Sequence, residues 1–327
     1  MGLTIGLDVG GTKVAAGVVD EHGKIVEKLK RPTPSADGER ILEVIAAVVA
    51  ELCGRHAVRA VGLGVAGWLD ETRTVLRFSP HLPWREDGTL IQRLQALTGL
   101  PVTMDNDANA SLWGEVRFGA AQGERHVVML AVGTGIGGAL VLDGRLYRGR
   151  WGMAGEPGHY RVVPDGRPCA CGNRGCLEQY ASGNALVAQA RELAGRAPSY
   201  AARLLELGGG RPEGIGGPQV TQAAREGDPA ALDCFAFVGG WLGQGMADLA
   251  AILDPGCFVI GGGVSDAGEL LAGPARAAFQ RALTGRGHRE FAEIRTAEFG
   301  ADAGLVGAAD LARIERSDDG AVVGVVV

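Results

Sequence analysis

Two stretches of this chain follow the same local pattern. Leu7-Asp8-Val9-Gly10-Gly11-Thr12-Lys13 leads from one apolar run into a Gly/Thr turn and then into a second apolar run ending at Asp20. Ala131-Val132-Gly133-Thr134-Gly135-Ile136-Gly137-Gly138 does the same and ends at Asp143, where Asp143-Gly144 adds a further hairpin signal. Apolar, β-branched runs on either side of glycines read as strands joined by a tight turn. Recurrence at about half the globular length points to two similar lobes, each presenting a Gly/Thr hairpin, with a nucleotide held in a cleft between them. Two unrelated hairpins are the alternative.

The rest of the chain reads as α/β. A third strand spans Lys24 to Lys30. Ile41, Val44, Ile45, Val48, Val49 and Leu52 then recur at helical spacing. Val58 to Val65 and Val102 to Met104 read as strands, and Asp107 to Phe118 as a helix. Val127 to Val132 and Ala139 to Leu142 are the strands of the second hairpin, with residues 133–138 as its turn. Leu242, Met246, Leu249 and Leu253 share a helical face that stops at Asp254-Pro255-Gly256. Cys257 to Ile260 is a strand running into Gly261-Gly262-Gly263. Residues 207–218 are too rich in Gly and Pro for regular structure and read as a surface loop, and Ser317 to Val327 as a loose tail.

Glycine supplies 54 of the 327 residues, well above the ~7% of an average protein. With no collagen-like period, these glycines read as tight turns and close backbone approaches. A net charge of −6 argues against a sequence-independent nucleic-acid binder. No uninterrupted apolar run reaches the ~18 residues of a membrane span, and no basic segment opens the chain, so a cytoplasmic enzyme is the expected class.

Three clusters carry chemistry. In the first, the Gly10-Gly11 pair lets backbone N–H groups approach an anion, Thr12 and Lys13 add a hydroxyl and a cation, and Asp8 can hold Mg²⁺ through water. With Gly133-Thr134-Gly135 and Gly261-Gly262-Gly263, three Gly turns follow strands, which favours a nucleotide site over ordinary hairpins. In the second, Met104-Asp105-Asn106-Asp107-Ala108-Asn109-Ala110 ends a strand and starts a helix, at the end of an open sheet where ligands bind. There Asp107 is either a general base taking a hydroxyl proton or the helix N-cap, with Asn106 orienting a substrate. The third runs His159-x9-Cys169-x-Cys171-x4-Cys176. One His and three Cys make a closed tetrahedral set, the signature of structural Zn²⁺; a disulfide would leave one Cys unpaired. Glu156 and Glu178 flank the loop, as surface acids or as a pair able to bind sugar hydroxyls.

These clusters in this order resemble the ROK family of sugar kinases, and within it the ATP-dependent glucokinases of actinobacterial type. The resemblance extends through Gly64-Val65-Ala66-Gly67, Gly155-Glu156-Pro157-Gly158-His159, Cys169 to Glu178, Gly261-Gly262-Gly263-Val264-Ser265 and Gly304 to Ala309, nearly the whole chain. It implies the actin-like ATPase fold of sugar kinases and Hsp70, with two similar lobes. Residues 1–118 would form the small lobe, with a helix at about 303–316 packing back on it. Residues 119–302 would form the large lobe, including a zinc loop at 159–178.

The implied activity is phosphorylation of glucose by ATP. Asp107 would be the base on the 6-hydroxyl, and Gly67, Asn106, Glu156, His159 and Glu178 would contact the sugar. Asp8, Gly10, Gly11, Thr12, Lys13, Gly133, Thr134 and Gly135 would serve the Mg-ATP phosphates, and Gly261, Gly262, Gly263 and Val264 the adenosine. His159 would serve Zn²⁺ through one ring nitrogen and sugar through the other. Family analogy also implies a dimer or tetramer. Two residues depart from the family pattern. His81, in Ser79-Pro80-His81-Leu82-Pro83-Trp84, stands where relatives often carry Asn, and Pro157 stands where an apolar residue is usual. The same motifs serve N-acetylhexosamine kinases. Polyphosphate-dependent members generally lack the Cys cluster. Repressors of the family place a helix-turn-helix domain ahead of a turn that here starts at Asp8, so neither of these is expected.

Overall fold

Strand β1 (Leu3–Val9) is buried on both faces, with Ile5, Leu7 and Val9 wholly inaccessible. Its neighbours explain why. The computed structural model describes residues 2–34, 36–79 and 81–314, and the apolar tail at 317–327 lies outside them. β1 pairs antiparallel with β2 (Lys13–Val19), and β2 pairs antiparallel with β3 (Ile25–Pro32). Helix α1 (Gly38–Cys53) follows, its N-cap Asp37 accepting from the N–H groups of Glu39 and Arg40. β4 (Val58–Val65) then runs parallel to β1. After the small hairpin β5 (Trp68–Leu69) and β6 (Leu76–Phe78), helix α2 (Leu90–Thr98) returns the chain to β7 (Val102–Asn106), parallel to β4. The sheet order is β3-β2-β1-β4-β7. Ile41, Ile45 and Leu52 of α1, with Leu90 and Leu94 of α2, cover one face over Ile5, Leu7 and Leu63.

The other face is covered by α3 (Asp107–Phe118) and by α10 (Ala303–Ile314), the last described helix. This contact is backbone against backbone. A Cβ built on Gly6 or on Gly62 would lie 1.8 Å from the carbonyl oxygen of Leu305 or Ala308, so only glycine lets α10 come this close. Asp310, buried in α10, accepts from the Trp113 indole at 3.0 Å and from Arg117 at 3.1 Å, which ties α10 to α3.

A second sheet has the order β10-β9-β8-β11-β12. It contains β8 (Val127–Val132), β9 (Ile136–Leu142) and β10 (Arg145–Leu146). After α4 (Glu178–Ala181), α5 (Gly183–Arg196), α6 (Ala202–Leu207), α7 (Gly217–Arg225) and α8 (Pro229–Leu253) come β11 (Cys257–Gly261), α9 (Glu269–Ala282) and β12 (Glu293–Thr296). β11 and β12 are parallel. Among the described residues, α8 is the one helix with the length and hydropathy of a membrane span, although no uninterrupted apolar run marks it in the sequence. Its Gly243 admits α9, because a Cβ there would lie 2.1 Å from the Ala275 carbonyl oxygen.

The chain folds as two compact units. Among the described residues, the first takes those up to Val127, Ala139–Gly155 and those from Ala297 on; the second takes Val128–Gly138 and Glu156–Thr296. The division falls at 127/128 rather than 118/119, residues 139–155 belong with the first unit, and α10 packs within that unit. Two local expectations change. β9 starts at Ile136 rather than Ala139, and residues 207–218 contain a 3-10 turn (Pro212–Gly214) and the start of α7, with Pro218 in its first turn.

Candidate active site and metal centre

In the first unit, the β1–β2 turn is closed by the Gly10 N–H donating to the Lys13 carbonyl at 3.1 Å. Thr33 braces it from β3's end, its hydroxyl donating to the Gly10 carbonyl at 2.8 Å and its N–H to the Thr12 carbonyl at 3.1 Å. Among the described residues the N–H groups of Gly11 and Thr12 make no hydrogen bond, an arrangement suited to an anion. Asp8 lies one residue before the strand ends. Burial pushes its carboxyl above the ordinary range; Lys13 pulls it back, Asp302 adds to the rise and Lys28 opposes it. Lys28 and Asp302 are themselves ion-paired.

The β7–α3 junction settles which residue is the cap. Asn106 has extended backbone angles, and its side-chain oxygen accepts from the N–H groups of Ala108 at 2.8 Å and Asn109 at 3.1 Å. Its amide nitrogen donates to the Gly67 carbonyl at 3.0 Å. Asn106 is the N-cap, and Asp107 is the first residue of the helix. One Asp107 oxygen accepts from the Ala108 N–H at 2.9 Å.

Reading the motif alone misses Asp105. Its carboxylate is buried, accepts from the Asn106 N–H at 2.9 Å and the Asn109 amide at 3.0 Å, and pairs with Arg148 Nε at 3.0 Å and Arg73 at 3.6 Å. A third polar residue at the strand end is visible in the sequence. Its two guanidinium partners, far away along the chain, are not.

In the second unit, His159, Cys169, Cys171 and Cys176 bring four ligand atoms within 4.8 Å of one another. Cys171 Sγ and Cys176 Sγ are 3.7 Å apart, and Cys169 Sγ lies 3.7 Å from His159 Nδ1. Tetrahedral Zn²⁺ with Zn–S of ~2.3 Å and Zn–N of ~2.0 Å requires ~3.8 Å between sulfurs and ~3.6 Å between sulfur and nitrogen, so the set fits that ion. A knuckle makes the spacing: the Cys169 N–H donates to the Asn173 carbonyl, the Gly172 N–H to the Cys169 carbonyl, and Gly172 and Gly175 have positive φ. Burial, aided by a hydrogen bond to Glu178, pushes the ion-free Cys169 thiol up to about 12. His159 turns Nδ1 to the cysteines, which leaves Nε2 for another partner.

Glu178 joins this loop to the second hairpin. One carboxylate oxygen accepts from Cys169 Sγ at 3.0 Å and the other from the Ile136 N–H at 3.4 Å. Gly135 gives this carboxylate room, since a Cβ there would come within 2.4 Å of that second oxygen and push the side chain aside. The Gly133 carbonyl accepts from the Gly183 N–H at 2.8 Å. Gly262, at φ +81°, would drive a Cβ to 2.5 Å from the Val132 carbonyl oxygen, while Val264 donates its N–H to that oxygen at 3.0 Å. Gly263 faces open space and lines a cavity of about 570 Å³ with Val264, Gly183, Leu186, Pro218 and Thr221. Glu156 lies at the start of this unit's second segment, and its carbonyl accepts from the His159 N–H at 3.1 Å.

The ROK family model matches residues 4–315. The chain belongs to the ROK family. Its fold is accordingly the actin-like ATPase fold of the family's sugar kinases. It is 48% identical to a glucokinase of Streptomyces coelicolor over 96% of this chain and 98% of that one. It is 40% identical to a glucokinase of Thermotoga maritima over 83% and 85%. A ROK family glucokinase from Streptomyces griseus, solved in complex with glucose and AMPPNP, superposes with a TM-score of 0.86 at 50% identity, covering 96% of this chain and all of that one.

Proposed function

We propose that this protein is a glucokinase, transferring the terminal phosphoryl group of ATP to the 6-hydroxyl of glucose. Kinship with glucokinases along nearly the whole chain carries the reading. Asp107 takes the proton from the 6-hydroxyl as that oxygen attacks the γ-phosphorus in line. The bond to the bridging oxygen breaks, and ADP and glucose 6-phosphate leave. Asn106, Gly67, Glu156, His159 and Glu178 bind the remaining sugar hydroxyls. The N–H groups of Gly11 and Thr12, which make no hydrogen bond among the described residues, receive the phosphates with Lys13, and Gly133, Thr134 and Gly135 are the further phosphate contacts. Gly261 to Val264 and the adjoining cavity take the adenosine.

Mg²⁺, bound to the phosphates, supplies charge neutralisation, and Asp8 is the carboxylate that would hold it through water. Zn²⁺ would be held by His159, Cys169, Cys171 and Cys176, and would brace the loop that carries Glu178 without entering the chemistry. The protein works in the cytoplasm as a dimer or tetramer.

A coupled ADP-release assay with Mg-ATP tests this, offering glucose, mannose, N-acetylglucosamine, N-acetylmannosamine and fructose, with Asp107→Asn as control. Strong turnover on glucose, lost in the control, is expected. Preference for an acetylated hexose would move the substrate. Turnover on no sugar would refute the kinase.

A further inference from the structure

His81 has no assigned role, and it occupies a particular place. A Cβ built on Gly11 would lie 2.9 Å from the His81 Cβ and 3.1 Å from its carbonyl oxygen. The segment around His81 therefore rests directly on the Gly10-Gly11 turn, and glycine at 11 makes the approach possible. The other end of the segment is pinned to Ala66, just after β4 and next to Gly67. Ser79, fully buried, donates its hydroxyl to the Ala66 carbonyl at 2.6 Å and accepts from the N–H groups of His81 at 3.3 Å and Leu82 at 3.1 Å. A Cβ on the adjoining Gly67 would meet the Phe78 carbonyl oxygen at 2.4 Å, and the Gly67 carbonyl accepts from Asn106. All these residues belong to the first unit. The His81 ring springs from a backbone fixed between the turn with the unpaired N–H groups and the segment that carries Asn106 and Asp107. The ring itself is exposed and has no hydrogen-bond partner among the described residues.

We propose that the His81 imidazole donates a hydrogen bond to the terminal phosphoryl group of the bound nucleoside triphosphate; the proposal rests on the reading of Gly10–Lys13 as the phosphate turn. Contact of its Cβ with Gly11 roots the ring beside the phosphate turn. Attachment through Ser79 to the Gly67–Asn106 side selects the phosphoryl group nearest the base over those nearer the nucleoside. An imidazole N–H is a strong donor to an anionic oxygen. No bond forms or breaks on the ring, so His81 binds and orients the group while Asp107 moves the proton.

The test is calorimetric titration of wild type, His81→Ala and His81→Gln with AMPPNP, ADP and glucose, beside KM values for ATP and for glucose. Alanine keeps the Cβ and carbonyl that touch Gly11, so the segment's packing survives and only the ring is lost. The expected result is an AMPPNP affinity about tenfold weaker (~1.4 kcal/mol) in His81→Ala, with ADP and glucose changed less than twofold. KM for ATP rises and KM for glucose stays, and glutamine, which keeps an N–H donor, recovers part of the loss. Unchanged AMPPNP affinity would overturn the proposal. Equal weakening of ADP would overturn it, and so would weakening of glucose alone, which would make His81 a sugar contact. Wild-type protein that binds neither AMPPNP nor glucose would instead overturn the kinase reading beneath it.

Discussion

Asn106 caps α3 and Asp107 is the proposed base, and a pair of substitutions tests that division. Asn106→Ala removes the N-cap oxygen that accepts from Ala108 and Asn109, and also the amide that donates to Gly67. Losing an N-cap costs about 1 kcal/mol, with a range of roughly 0.5–2. A further hydrogen bond contributes about 1 kcal/mol net. The sum is about 2 kcal/mol, a melting shift of several degrees in a chain of this size. Asp107→Asn deletes no cap, and the new amide oxygen can still accept from the Ala108 N–H; losing a carboxylate from the first turn of α3 costs about 0.3–1 kcal/mol, less than the loss expected of Asn106→Ala. Turnover of Asp107→Asn, however, falls about 10²–10⁴-fold, the usual cost of losing a general base. Thermal melts and urea titrations of the two variants, with kcat on glucose, make the comparison. Asp107→Asn turning over near the wild-type rate would refute the base. Asp107→Asn melting far below Asn106→Ala would refute the division of roles, because Asp107 would then be holding the helix start.

The remaining predictions concern metal, charge and packing. Elemental analysis of unchelated protein should find one zinc per chain, and Cys171→Ser, at the exposed cysteine of the set, should lose most of it; full zinc in that variant would refute the ligand set. Asp8 and Asp70 should move stability in opposite ways. Burial raises Asp8, so its contribution is present below the ordinary value of 3.8 and is lost as pH rises through the folded value. Asp8→Asn should therefore raise the melting temperature at pH 7 while lowering ATP turnover. Burial opposes ionisation of Asp70 as well, but the Thr72 hydroxyl and the N–H groups of Val75, Thr74 and Thr72 outweigh it and hold the carboxyl below 3.8. Its contribution is present above that value and is lost as pH falls through the lowered one, so Asp70→Asn should destabilise at pH 7 and flatten the acid limb of a melting-temperature profile. Gly307→Ala should cost about 1–3 kcal/mol or more in a urea titration, since its Cβ would lie 1.7 Å from the Ala110 carbonyl oxygen, whereas Gly263→Ala, which meets nothing within 4 Å, should leave stability unchanged.

What can be read from the sequence is what near neighbours encode. The first hairpin, α1 and α3 each carry their pattern within a few residues, and they form where periodicity places them. The Cys/His cluster is legible for the same reason: Cys169, Cys171 and Cys176 belong to one knuckle, and His159 enters from the preceding turn. Asp105 is not legible, because a buried carboxylate is defined by the groups that neutralise it, and Arg73 and Arg148 arrive from separate loops. The choice between base and cap at Asp107 also needs the folded backbone. Asn and Asp are both good caps, and only the backbone angles at Asn106 decide which of two adjacent residues stands outside the helix.

The glycines show where a compositional reading stops. A run such as Gly133 to Gly138 reads as one long turn, because glycine weakens a strand unless something needs the space. Something does: a Cβ on Gly138 would lie 2.3 Å from the Pro157 ring, so this glycine is inside β9 to admit the loop that leads to His159. Gly6, Gly62 and Gly307 likewise serve the approach of α10 rather than a turn. Pro157, the departure from the usual apolar residue, then has a structural account: its ring fills the space that Gly138 leaves, and it fixes the entry to the metal loop without using a backbone donor. A sequence with Ala at 138 would keep the same hairpin signal and the same metal spacing. It would lose the seat on which the two are joined.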